Sequence, residues 1–232
     1  MVRLTRLKLL GTLCAAVFLG ACAYHSRLPS DIYTLSGSGE KVSARVLVVA
    51  DDIVQKKFTF KDYHLSSSVQ SYTIDLTKGS LIAAADALGT LFETVEVDKA
   101  KNAPYYDYTA RLNYQVTDPR ENSLESVQWL NYAQMPHLQT QLTLTLGNPH
   151  TGETVLTAYA VRRNYVELNN FTAVAYHTQN STTGTLLLPI TAPIYAQQMG
   201  QRIRYTLSRD LRECLEEVMQ TLQAQRPIFV KE

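Results

Sequence analysis

Tyr106, Tyr108, Ala110, Leu112, Tyr114 and Val116 alternate with Asp107, Thr109, Arg111, Asn113 and Gln115. A period of two sends each set to its own side of a strand, so this run predicts a strand with one apolar and one polar face. Leu138, Thr140, Leu142, Leu144 and Leu146 repeat the pattern against Gln139, Gln141, Thr143 and Thr145. A third run carries Val155, Thr157, Tyr159 and Val161. Between the last two runs, Gly147 to Glu153 reads GNPHTGE, with the Gly, Asn and Pro of a hairpin turn. Strands with a solvated side suit an antiparallel sheet, whose apolar face then needs a covering layer.

The covering layer is expected after Pro193. Met199, Ile203, Leu207, Leu211, Leu215, Val218 and Leu222 recur every three or four residues, away from Arg202, Arg209, Arg212, Glu213 and Glu217. This predicts a long amphipathic helix reaching about Gln223. Upstream, Arg45 to Ala50 is an apolar β-branched run expected as a buried strand, and Gln70 to Leu76 alternates as another. Thr77 or Ser80 is placed to cap a helix through about Phe92, and Glu93 to Asp98 returns as a strand. Strand, helix and strand here predict a compact βαβ-like unit. The expected fold is α+β: a mostly antiparallel sheet with two helices packed on one face, within a single domain over 45–232.

The start of the chain follows a different logic. Arg3, Arg6 and Lys8 precede thirteen uncharged positions, Leu9 to Ala21. A membrane-spanning helix takes about 20 apolar residues, so a basic segment followed by this shorter run fits a cleaved secretory signal. The run ends at Leu19-Gly20-Ala21-Cys22, which resembles the lipobox of bacterial lipoproteins. Cys14, preceded by bulky Leu13, lacks that pattern. The resemblance implies cleavage before Cys22, a signal peptide over 1–21, and acyl chains on Cys22 as the lipid attachment site. It also implies the periplasmic face of the outer membrane of a diderm bacterium, since Ala23 stands where many inner-membrane lipoproteins carry aspartate. Residues 22–44, with Pro29 and the SGSGEK stretch at Ser36 to Lys41, are expected to form a tether from lipid to domain, with a short strand at Ile32 to Leu35.

Composition narrows the function further. Residues 1–21 hold three basic residues and no acidic one, so the mature chain carries 19 basic against 21 acidic residues. That balance argues against nucleic acid as the main partner. With Cys22 acylated, the mature chain keeps Cys214 alone, set among Leu211, Leu215 and Val218. No internal disulfide is then available, and Cys214 is expected to be a buried, inert thiol.

Chemistry-bearing patterns are sparse. His25, His64, His137, His150 and His177 show no metal-ligand spacing, and no metal or cofactor is expected. Ser38-Gly39-Glu40-Lys41 matches the Ser-x-x-Lys nucleophile motif but sits in the Gly/Ser stretch rather than at a helix start. Thr77 to Ser80, TKGS, lacks the rest of a phosphate loop. Asp51 and Asp52 are adjacent on an extended chain and point apart, which makes a poor acid/base pair. No catalytic residue is assigned, and the chain is expected not to be an enzyme.

Two long connections stand out. Thr117 to His137 contains Trp129, Leu130 and Tyr132, and Glu167 to Pro189 contains Phe171 and Tyr176. Aromatic side chains in long connections are frequent interface anchors, so these five are the candidate partner-binding residues; extension of the neighbouring strands or cover for the core is the alternative. In outline the expected fold resembles the small α+β lipoproteins that assist envelope assembly and transport machines. The resemblance implies a non-enzymatic accessory or scaffold lipoprotein with an envelope protein partner. A carrier that holds a lipid or other amphiphile between helix and sheet, and an unrecognised periplasmic hydrolase, are the alternatives.

Overall fold

The computed structural model describes residues 23–32, 39–49, 55–62, 70–98, 105–119, 137–167 and 182–229. In chain order these form β1 (Ala23–Arg27), β2 (Val42–Val49), β3 (Lys57–Asp62), β4 (Gln70–Asp75), α1 (Thr77–Leu88), β5 (Phe92–Asp98), β6 (Tyr108–Thr117), β7 (His137–Gly147), β8 (Thr154–Tyr165) and α2 (Thr182–Ala224). A 3-10 turn, Arg226–Ile228, follows α2. The fold is α+β, as the patterns predict.

The alternating runs become the antiparallel part of a five-stranded sheet with order β5-β2-β6-β7-β8. Leu112 pairs with Leu144, and Leu144 with Ala158, so the apolar sets fall on one face. The turn before β8 is held by Asn148, whose Oδ1 accepts from the His150 amide at 2.8 Å, while Gly152 takes φ 74°. Such a left-handed conformation favours glycine. β2 differs from the mostly antiparallel expectation, running parallel to both β5 and β6. Its Val46 and Val48 join the core, and Leu47 and Val49 on the opposite side are also buried, which explains its near-continuous apolar sequence.

α2 covers β7 and β8, and α1 lies beside it toward β5, β2 and β6. Met199, Ile203, Leu207, Leu211, Leu215, Val218 and Leu222 are all buried against the sheet, as is Cys214. Full burial of each large aliphatic side chain stabilises by about 1.5–3 kcal/mol, so the stripe is what holds α2 to the domain. α2 begins at Thr182 rather than after Pro193. The two prolines inside it, Pro189 and Pro193, read as stops in the sequence because each removes one backbone donor, yet the helix continues through both.

Two further expectations are corrected. β4, α1 and β5 are present, but the two strands do not share a sheet: β4 belongs to a separate three-stranded sheet, order β1-β4-β3, and β5 pairs with β2. The apolar face of β4, Tyr72 and Ile74, is matched by Phe60 and Phe58 of β3 at the same register positions, so its pairing is satisfied before α1 starts. Neither Thr77 nor Ser80 caps α1. The Thr77 amide donates to Asp75 Oδ1 at 3.0 Å, and the Ser80 hydroxyl donates backward to the Leu76 carbonyl at 2.7 Å. The described part of the segment read as a tether carries structure of its own.

Ala23–Arg27 is a strand, parallel to β4, with Tyr24 beside Tyr72 and their ring centroids 6.1 Å apart. The Leu28 amide continues the pairing by donating to the Asp75 carbonyl at 3.0 Å, and Leu28 and Ile32 are buried. Most of the short strand expected at Ile32 to Leu35 lies outside the described residues. Two helical glycines admit this N-terminal strand. A Cβ at Gly200 of α2 would run into the ring of Tyr24, and one at Gly79 of α1 would lie 2.8 Å from the Pro29 carbonyl oxygen and 2.5 Å from Leu28 Cβ. Glycine inside a helix costs about 1 kcal/mol relative to alanine, so these two positions exchange helix propensity for close approach.

Gly79→Ala is therefore expected to lose about 1–3 kcal/mol despite the gain in propensity, because backbone atoms stand in the way. Gly200→Ala meets only a ring, and Tyr24→Ala should rescue it. Urea melts with limited proteolysis of the N-terminal segment read both effects; a more stable Gly79→Ala chain would refute the close packing.

Candidate functional site

The clustered polar chemistry of the described residues lies where α2 crosses the end of β8. Alternation on β8 turns Arg162 and Asn164 toward the helix, at register with Thr140 and Leu138 of β7. From α2, Asp210, Glu213, Cys214 and Glu217 meet them at helical spacing. Asn164 Nδ2 donates to Asp210 Oδ1 at 2.6 Å, Arg162 Nη1 pairs with Glu217 Oε2 at 2.6 Å, and Arg162 Nε lies 3.4 Å from Glu213 Oε2. Arg209 pairs with Glu167 just past the end of β8.

Asp210 is fully buried, and among the described residues its Oδ2 has no hydrogen-bond partner. Burial raises its carboxyl to about 6, against the opposing hydrogen bond from Asn164 and the charge of Arg209. Cys214 is raised to about 11, first by burial, with Arg162 and the Thr140 hydroxyl acting the other way. The Tyr114 hydroxyl, donating to the Leu207 carbonyl at 3.2 Å, is pushed well above its ordinary range by burial and then by Asp210 and Cys214.

A catalytic reading needs a nucleophile or base that a substrate can reach. Here the thiol is buried and protonated, and the carboxyl with the most shifted value is shielded by the helix that carries it. An open cleft of about 440 Å³ adjoins the cluster, lined by Arg162, Glu213, Glu216, Glu217 and Gln220. Its charged lining does not suit an acyl chain. The arrangement is a polar latch that fixes the rotation of α2 on β8.

The site residues predicted from sequence, Cys22, Trp129, Leu130, Tyr132, Phe171 and Tyr176, all lie outside the described residues. Chain continuity still places their neighbourhoods. Cys22 directly precedes β1. The connection holding Trp129 leaves from the end of β6 and returns at the start of β7, and the one holding Phe171 leaves from the end of β8. Those strand ends share one end of the five-stranded sheet, because β6 and β8 run antiparallel to β7. α2 passes that end with Leu207 and Asp210, since Leu207 meets Tyr114 and Asp210 meets Asn164.

The small sheet stands at the same end. Gln55, just before β3, bridges the free edge of β6: its Nε2 donates to the Val116 carbonyl at 3.0 Å, and its Oε1 accepts from the Val116 amide at 2.6 Å. Among the described residues, one amide side chain thus takes the place of a strand neighbour beside Val116, and β3 starts from it. Sequence reading missed this site's frame. β1 and β3 are short, and each shows its role only beside β4.

No protein-family model matches the chain, and no curated protein does. Among solved structures it is similar to a Xanthomonas campestris protein of family DUF330, at 12% identity and a TM-score of 0.39, over 88% of this chain and 99% of that one. It is also similar to the PelC dodecamer from Paraburkholderia phytofirmans. One crystal form gives 13% identity and a TM-score of 0.35 over 68% of this chain and 95% of that one. The other gives 13% and 0.33 over 71% and 94%.

Proposed function

We propose that this chain is a non-enzymatic lipoprotein of the bacterial outer membrane, anchored through acyl chains on Cys22 and serving an envelope assembly or transport machine as an accessory or scaffold. The observation that carries the reading is the stretch Leu19-Gly20-Ala21-Cys22, which resembles a lipobox, directly before a strand that belongs to the folded domain. The strand β1 then begins one residue after the acylated cysteine. The latch between α2 and β8 supports the non-enzymatic reading, because its reactive groups are committed to holding the helix.

Partner contact is assigned to the connections that hold Trp129, Leu130 and Tyr132, and Phe171 and Tyr176. A photo-crosslinking residue at Trp129 or Phe171, in intact envelopes, is expected to give adducts with one envelope protein. The same residue at Tyr105, which is exposed before the start of β6 and so belongs to the opposite end of the sheet, should give none. A chain that forms neither adducts nor oligomers at any of the three positions would overturn the accessory role.

A further inference from the structure

α2 is two helices in composition. From Arg202 to Glu217 it carries eight charged residues, whereas Thr182 to Gln201 carries none. The charge-free stretch of sequence in fact starts at Leu168, just after Glu167. The change falls where β1 docks: Gly200 meets Tyr24, and one turn later Arg204 Nη1 lies 3.5 Å from Ser26 Oγ. Two residues along the strand match four along the helix, close to equal lengths at about 3.3 Å and 1.5 Å per residue. β1 and α2 therefore run side by side in the same direction.

That alignment relates the start of β1 to the helix. Ala23, next to Cys22 in sequence, is one residue before Tyr24, about 3.3 Å back along the strand, which corresponds to about the level of Gln198 on α2. The helix continues for 16 more residues to Thr182, about 24 Å beyond that level. Half the hydrocarbon thickness of a bilayer is about 15 Å, so this length is enough to reach into the leaflet that receives the acyl chains. Within that length stand Leu186, Leu187, Leu188, Ile190 and Ile194, of which Ile194 is 45% exposed. Among the described residues, no helix is long and apolar enough to cross a membrane.

We propose that the uncharged start of α2, Thr182 to Ile194, enters the membrane leaflet that anchors Cys22, without crossing it. The inference rests on the lipoprotein reading above and adds an orientation. The small sheet and the uncharged start of α2 face the lipid, and the five-stranded sheet stands away from it. Arg202 and Arg204, at the composition boundary, are placed for lipid phosphates, since long cationic side chains keep apolar stems low and charges at the interface.

The test uses the full chain, produced with its signal and reconstituted in vesicles of phosphatidylethanolamine and phosphatidylglycerol doped with bromine-labelled phosphatidylcholine. In a Trp129→Phe background, Leu187→Trp and Ile194→Trp each give a single reporter, with Ile228→Trp at the other end of α2 as control. Ile194 and Ile228 are already exposed, so neither change disturbs packing. Emission at 187 and 194 is expected to fall by about half or more, as for side chains buried at the acyl boundary, and emission at 228 to stay unchanged. Acyl labelling of the same samples separates the two readings. Labelled chains with no quenching at 187 and 194 overturn the insertion and leave the lipoprotein reading standing. Unlabelled chains overturn the anchor, and with no quenching they sink both. A Leu187→Cys chain that crosslinks to a second copy, with 187 unquenched, would make this segment a face between copies and overturn the insertion.

Discussion

Cys22→Ser, exported behind a conventionally cleaved signal in place of residues 1–21, is expected to move the protein from the membrane fraction to the soluble periplasm, with no acyl label incorporated. A serine hydroxyl cannot take the place of the thiol in thioether formation, so the chain would lose every acyl group together. The effect should be close to all-or-none. One acyl chain binds only marginally, and each further buried methylene adds about 0.8 kcal/mol, so a second and third long chain contribute on the order of ten kcal/mol each. Contact by the uncharged start of α2 alone is reversible and should yield to an alkaline wash. Because Cys22 lies before β1, the variant should unfold at the same urea concentration as the unlipidated wild-type domain. Fractionation with acyl labelling checks the first expectation, and a urea melt the second. A Cys22→Ser chain that stays in the washed membrane would remove Cys22 as the anchor.

That prediction rests on a local signal, since four adjacent residues, Leu19-Gly20-Ala21-Cys22, carry the resemblance to a lipobox. The long strands were legible for a related reason. On β6 and β7 every second residue is buried, so pattern and burial report the same fact. The frame around the N-terminal strand was not legible, because its signals are relational. KFTFKD, the sequence of β3, has only Phe58 and Phe60 between lysines, too few to mark a strand until Tyr72 and Ile74 stand opposite. Gly79 and Gly200 look like weak points in helices, and only the position of Leu28 and Tyr24 shows that they make room. Whether β4 and β5 share a sheet is not written in the strand-helix-strand pattern, since either arrangement gives the same local periodicity. Asp210 did leave a trace. It lies three residues after Leu207 and one before Leu211, a carboxylate inside the apolar stripe rather than on the charged side of α2.

That buried carboxylate makes the domain more stable in mild acid, relative to a chain that lacks it. Asp210 is held at about 6 in the folded state, first by burial, while an unfolded chain returns it to about 3.9. Between those values the folded state binds the proton and the unfolded state does not, so stability falls as pH rises through this window. Below the lower value both states are protonated and the contribution is complete; above about 6 it is gone. Folding thus tightens proton binding roughly a hundredfold, which corresponds to on the order of 3 kcal/mol, a large share of a typical domain's stability. The facing groups set the size. Asn164 and Arg162 on β8 and Arg209 on α2 favour the carboxylate, whereas Glu213 disfavours it. Asp210→Asn keeps an acceptor for Asn164 and cannot ionise, and contributions common to both chains cancel in the comparison. Urea melts of the two at about pH 4 and about pH 7.5 are expected to show the wild type losing on the order of 3 kcal/mol relative to the variant. Parallel stability curves would mean that Asp210 keeps an ordinary acidity and that the latch is solvated. Asn164→Ala tests the same latch from β8: with its donor gone, the loss of stability should extend to higher pH, because the carboxylate then has less to hold its charge.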